Sequence, residues 1–202
     1  MPNLNWKLLT KKRGSSTKGL PPGKEDLAWV TNTATLIYGE TDAVLVDTFL
    51  SVEHSKDLVD WVAESGKNLI AIYVTHAHGD HFFGLKLLLD KFPNARAFAT
   101  ASSVAGMQKQ IDPDFVKSFW EPRFPGQVPS QLSAPEILEG DTLYLEGEEL
   151  QVVELYRHAK FNCALRSFDR PGRIGRCCLQ QHAPLSRRVR RQGPRRVAPS
   201  AR

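Results

Sequence analysis

No cysteine precedes Cys163, and all three cysteines, Cys163, Cys177 and Cys178, fall within the last forty residues. That excludes a disulfide framework or a cysteine-based zinc site for the rest of the chain, and adjacent Cys177 and Cys178 lack ligand spacing. Long apolar runs are missing as well, none approaching the roughly 20 residues that span a bilayer. Residues 1–24 hold too short an apolar stretch for a secretory signal. A cytoplasmic protein with no membrane partner is expected. Acidic residues nearly vanish towards the end: residues 156–202 contain only Asp169, against 13 Lys+Arg.

What is present divides at the same point. Residues 1–155 carry 14 Lys+Arg and 21 Asp+Glu, a balance of −7, whereas residues 156–202 sum to +12, giving the overall +5. The base changes too: 11 of 12 lysines precede residue 156 and 12 of 15 arginines follow it. Such a tail reads as a disordered basic arm that binds nucleic acid at most nonspecifically. A chain of 202 residues suffices for one domain with a real core. The expected division is an N-terminal arm over 1–29, a folded domain over 30–155 and the basic tail over 156–202.

The Gly-, Pro-, Ser- and Lys-rich opening up to Gly23 reads as a loop or loosely attached arm. Residues 33–38 and 43–47, separated by a turn, predict a β-hairpin. Residues 52–65 predict a helix with Leu58, Val59 and Val62 on one face and Gly66 as its stop. The run Leu69-Ile70-Ala71-Ile72-Tyr73-Val74 predicts a strand buried on both faces. Beyond it come helical patterns over 85–92, 102–110 and 114–120, a strand over 95–100 and a Pro-rich loop over 122–135. A second hairpin over 142–155 starts a second sheet, after which periodicity fades.

Three of the six histidines stand within six residues, in His76-Ala77-His78-Gly79-Asp80-His81, just after the buried strand. Ligand sites in open α/β sheets lie at such carboxyl ends. Imidazole and carboxylate suit zinc and similar borderline metals. In an extended turn His76 and His78 can face one metal, and Asp80 and His81 another. His54 is expected at the surface. Trp61, Trp120, Phe82 and Phe83 are expected to pack rather than meet substrate.

The HxHxDH run after an apolar strand, the preceding strand ending in Asp47, and the residues after His81 resemble the metallo-β-lactamase superfamily. The resemblance covers residues 30–155. It implies an α/β protein, an αββα sandwich of which this chain holds the first half and the start of the second. It implies two zinc ions, His76 and His78 on the first, Asp80 and His81 on the second. Asp80 is then also the catalytic residue that handles the proton of the attacking water. Asp47 is expected to support the ligand loop rather than bind metal. The implied activity is opening a lactam or lactone ring in a small molecule, as in fungal members that act on plant defence compounds such as benzoxazolinones.

The chain departs from this pattern after Leu155. A histidine turn should come after Val152-Val153-Glu154-Leu155, but Tyr156-Arg157-His158-Ala159-Lys160 stands there. His158 is not assigned as the missing ligand, because the residues beyond it are also unlike the family. A shift of reading frame accounts for both. The codons from Tyr156 to Ser186 admit a re-reading that spells Thr-Asp-Thr, an apolar run and a Gly-Asp pair. Two other readings stand beside the hydrolase: an inactive, truncated remnant of such an enzyme, and a non-enzymatic basic binding protein.

Overall fold

The computed structural model describes residues 4–157 and 159–167, with side chains as far as Val153. Two antiparallel hairpin pairings and three parallel ones build a six-stranded sheet in the order β1 (Asn5–Gly14), β2 (Trp29–Tyr38), β3 (Asp42–Val46), β4 (Asn68–Tyr73), β5 (Arg96–Ala99) and β6 (Glu136–Ile137). β3 and β4 are short apolar runs, as strands covered on both faces require. The helices are α1 (Val52–Ala63), α2 (Gly79–Phe82), α3 (Leu85–Lys91), α4 (Ala101–Gln110) and α5 (Pro113–Phe115), which runs into a π-helical turn, Val116–Trp120. α1 starts where the Ser51 hydroxyl accepts from the His54 N–H, and it ends before Gly66, which takes a positive φ.

Three apolar clusters divide the work. Leu58 and Val62 of α1 and Leu85 and Leu88 of α3 pack onto Leu36, Leu45 and Ile72 of the sheet. On the opposite face Ile37, Val44, Val46 and Tyr73 meet Leu143, Leu145, Leu150 and Val152 of a second sheet. That sheet is β7 (Thr142–Leu145), β8 (Glu148–Arg157) and β9 (Ala159–Ser167), all antiparallel. The third cluster, with Phe82, Phe83, Met107, Trp120 and Phe124, lies beneath the histidine loop. Trp120, Phe82 and Phe83 therefore pack, as expected; His54 is only partly exposed, its ring T-shaped to that of Phe49 with centroids 6.0 Å apart. No described helix is long and apolar enough to cross a membrane.

Two sequence expectations need correction. Residues 5–14 are not a loose arm but the edge strand β1, paired along its whole length with β2. Its inward positions, Lys7, Leu9, Lys11 and Arg13, alternate with exposed ones. The period of two was present, but cations occupied the inward positions. Strand structure also continues past Leu155: β8 reaches Arg157, and β9 pairs with it from Arg157↔Ala159 to Leu150↔Ser167. Phe161, Cys163 and Leu165 alternate with Lys160, Asn162 and Arg166, a strand pattern that the arginine content obscured. Residues 168–202, most of the expected tail, and His158 lie outside the described residues.

Candidate metal centre

β3 and β4 run parallel, so their carboxyl ends bring Asp47 beside Thr75. Asp47 takes a φ of 61°, and its N–H donates to the Tyr73 carbonyl at 2.9 Å. Few residues other than glycine adopt that backbone, although Asp and Asn do so more readily than most. The turn aims its buried carboxylate under the histidine loop. One oxygen accepts the Thr75 N–H at 2.8 Å; the other accepts the Thr75 hydroxyl at 2.8 Å and faces His81 Nδ1 at 2.9 Å.

This carboxylate orders two rings. Because the Thr75 hydroxyl donates to Asp47, its oxygen can accept from His76 Nδ1, which stands 3.0 Å away. The network therefore assigns the proton to Nδ1 in both His76 and His81, leaving each Nε2 lone pair for a ligand. The two rings pack with centroids 4.0 Å apart. His78 completes the group at the exposed mouth, its Nδ1 3.1 Å from His76 Nε2. α4 holds the loop from behind. A Cβ on Gly106 would come within 2.6 Å of the Ala77 methyl, so only glycine allows this approach.

Asp80 and His81 do not sit in an extended turn but in the first turn of α2, with His81 N–H donating to the His78 carbonyl. Their side chains still converge, Asp80 Oδ2 lying 4.0 Å from His81 Nε2. That same oxygen accepts from Arg13 Nη2 at 3.0 Å and from Asn32 Nδ2 at 2.9 Å. Arg13 reaches it from β1 across the ring of Phe124, at 4.9 Å.

The charges respond to these neighbours. Burial, and next the charge of His81, hold His76 down to a pKa of about 3. Burial opposes the protonated form of His81, but Asp47 and then Asp80 outweigh it and raise its pKa. For Asp80, burial favours the neutral acid, yet His81, Asn32 and Arg13 together hold the carboxyl at about 2. The site therefore contains a neutral His76 and an ionised Asp80 throughout the physiological range.

The His76–His78 pair suits a metal. Two nitrogens bound at about 2.05 Å to a tetrahedral zinc stand roughly 3.3 Å apart, close to the 3.1 Å found here. Asp80 and His81 stand wider, and the oxygen nearer the ring already has two donors. Among the described residues no three His, Cys, Asp or Glu side chains are arranged to hold one ion together. The structure keeps the three histidines and Asp80 of the motif within one group of side chains. The sequence did not reveal Thr75, Asn32 or Arg13, although Arg13's alternation with Lys11 and Leu9 was a signal.

Comparison with known proteins bears on the family and the fold. The family model described as "Metallo-beta-lactamase superfamily" matches residues 27–169. A hydroxyacylglutathione hydrolase of Francisella tularensis subsp. novicida is 36% identical over 64 residues, which are 32% of this chain and 24% of that protein. The match thus spans about a quarter of the relative's length. A metallo-beta-lactamase from Pontibacter korlensis superposes with a TM-score of 0.55 at 12% identity, covering 83% of this chain and 67% of that one. One from Hirschia baltica gives 0.52 at 18% identity, covering 79% and 61%. These two likenesses concern the fold.

Proposed function

The chain belongs to the metallo-beta-lactamase superfamily, and from that premise we propose that it is a zinc-dependent hydrolase of a small molecule, opening a lactam or lactone ring. The observation that carries the reading is the pair His76 Nε2 and His78 Nδ1 at 3.1 Å, spaced for one shared ion. His76 and His78 would hold the first zinc, and Asp80 with His81 a second. Zinc when bound supplies Lewis acidity, polarising a carbonyl and acidifying water.

The chain's own residues prepare that chemistry. Asp47 fixes the tautomer of His81 directly and that of His76 through Thr75. His76, held neutral, can therefore ligate without first losing a proton, whereas His81, whose pKa is raised by Asp47 and Asp80 against the effect of burial, gives up a proton on ligating. Asp80, ionised at neutral pH, can accept a proton from an attacking water next to the scissile carbonyl. The described side chains offer two donors per ion, whereas catalytic zinc sites usually carry three. A low rate is expected on that ground.

The curated relatives favour a second substrate, since the 64 matched residues belong to a hydroxyacylglutathione hydrolase. The test is turnover by the full chain, zinc-loaded and chelator-treated, of a lactam, a lactone and a hydroxyacylglutathione. Zinc-dependent hydrolysis of one of them, lost in His78→Ala and in Asp80→Ala, supports the reading and selects the bond. No zinc-dependent turnover of any of the three overturns it and leaves the inactive remnant.

A further inference from the structure

Asp80 is the one ligand candidate whose carboxylate already has a cation. The oxygen that faces His81 Nε2 is the same Oδ2 that accepts from Arg13 Nη2 and Asn32 Nδ2. Arg13 is well placed to stay: its side chain is 12% exposed, and its guanidinium lies over Phe124 at 4.9 Å. Neither Arg13 Nε nor Asn32 Oδ1, both buried, has a hydrogen-bond partner among the described residues. Arg13 also donates from Nη1 to the Gly14 carbonyl at 3.2 Å, so one buried polar atom of each side chain, and not its whole far end, is left without a partner. By contrast, among the described residues no lysine or arginine is bonded to the His76–His78 pair, whose close polar neighbours are Thr75, the His81 ring and each other.

We propose that Arg13 stands in for the second metal, neutralising Asp80 through β1 and making the Asp80–His81 seat the weaker of two unequal metal positions. The inference rests on the metal-centre reading above. Zinc entering the His76–His78 seat displaces only the hydrogen bond between the two rings. Zinc entering the other must take Oδ2 from two hydrogen bonds and sit a few ångströms from a guanidinium that cannot lose its charge. Like charges at that range in a water-poor site repel strongly. Arg13 is therefore a positioning residue that sets metal stoichiometry, and it acts from an edge strand remote from the motif in sequence.

The experiment is a zinc titration of the metal-free full chain against a chromophoric chelator, which reads affinity and stoichiometry without any substrate. Wild type should show one site at least about thirtyfold tighter than the next. Arg13→Gln should tighten the second site on the order of ten- to a hundredfold and leave the first within about threefold. Arg13→Lys keeps the charge, so its second site should stay within about threefold of wild type. A second site unchanged or weakened in Arg13→Gln overturns the proposal, because Arg13 would then be holding Asp80 ready for metal. Should that variant fail to fold, the wild-type isotherm still decides, since two equivalent zinc ions also overturn it. Two equivalent ions leave the metal-centre reading standing; no zinc binding at all overturns both.

Discussion

Asp47 and His81, 34 residues apart, are joined by a contact of 2.9 Å between Oδ2 and Nδ1, with both side chains nearly sealed from water. The contact links the end of one strand to the first turn of a short helix. It also fixes which nitrogen of the ring is available to a ligand.

Replacing Asp47 by alanine should act on stability and metal together. The change strands the Thr75 N–H and the His81 Nδ1–H in a buried site, at a cost of about 3 kcal/mol in the metal-free protein. Zinc affinity should fall on the order of ten- to a hundredfold. Chemical denaturation and metal titration of the same preparation test both. A variant of normal stability that binds zinc like wild type would show that the ring needs no such anchor.

Metal-free protein should lose stability on mild acidification. His76 has its pKa depressed to about 3 by burial, so the unfolded chain takes up a proton below about 6.5 that the folded chain refuses. The stability from this group is complete above about pH 6.5 and is lost as pH falls from there towards 3. Thermal midpoints of chelator-treated protein between pH 7 and 4 should decline, and His76→Gln should flatten that decline. An acid limb unchanged in His76→Gln assigns the loss to other groups.

Gly106→Ala should weaken zinc binding although Gly106 touches no ligand atom. Its new methyl would meet the Ala77 methyl at 2.6 Å. Neither group can rotate aside, so helix and loop must separate by several tenths of an ångström or more. Displacement on that scale costs on the order of tenfold to a hundredfold where ligand geometry matters. The check is the first-site zinc affinity of a variant whose circular dichroism matches wild type. An affinity equal to wild type would mean that the loop accommodates the shift.

The break after Leu155 carries a genetic prediction. Sequencing the coding DNA there, and reading it in the shifted frame, should give a continuous open frame with Thr-Asp-Thr and Gly-Asp in place of Tyr156 onwards. Stop codons, or an unrelated string, in that frame would dispose of the frameshift.

Much of the central sheet was legible because its strands are short apolar runs bounded by turns, as in Leu69–Val74 against β4. The helices over α1, α3 and α4 were legible from their apolar spacing and their stops. β6 is two residues long and carries no pattern of its own. β1 escaped for a different reason. Lys7 reaches the Trp61 ring, Lys11 pairs with Asp57 and Arg13 with Asp80, so each inward cation owes its place to a partner remote in sequence. The metal motif was legible as a cluster of donors. What Asp80 does with them was not, since Arg13 and Asn32 arrive through strand register rather than through any local spacing.

That register has a consequence for how the sheet margin comes apart. An edge strand held by leucines alone would loosen on cooling or in urea; one also pinned by Lys7 and Lys11 should loosen in salt, because such partly exposed contacts weaken as ionic strength rises. Amide hydrogens of residues 5–14 should then exchange faster as ionic strength rises, while those of β3 and β4 do not respond. Each such fraying event carries Arg13 away from Asp80 and uncovers the flank of the histidine loop. Ionic strength thereby becomes a control on how often that carboxylate is bare.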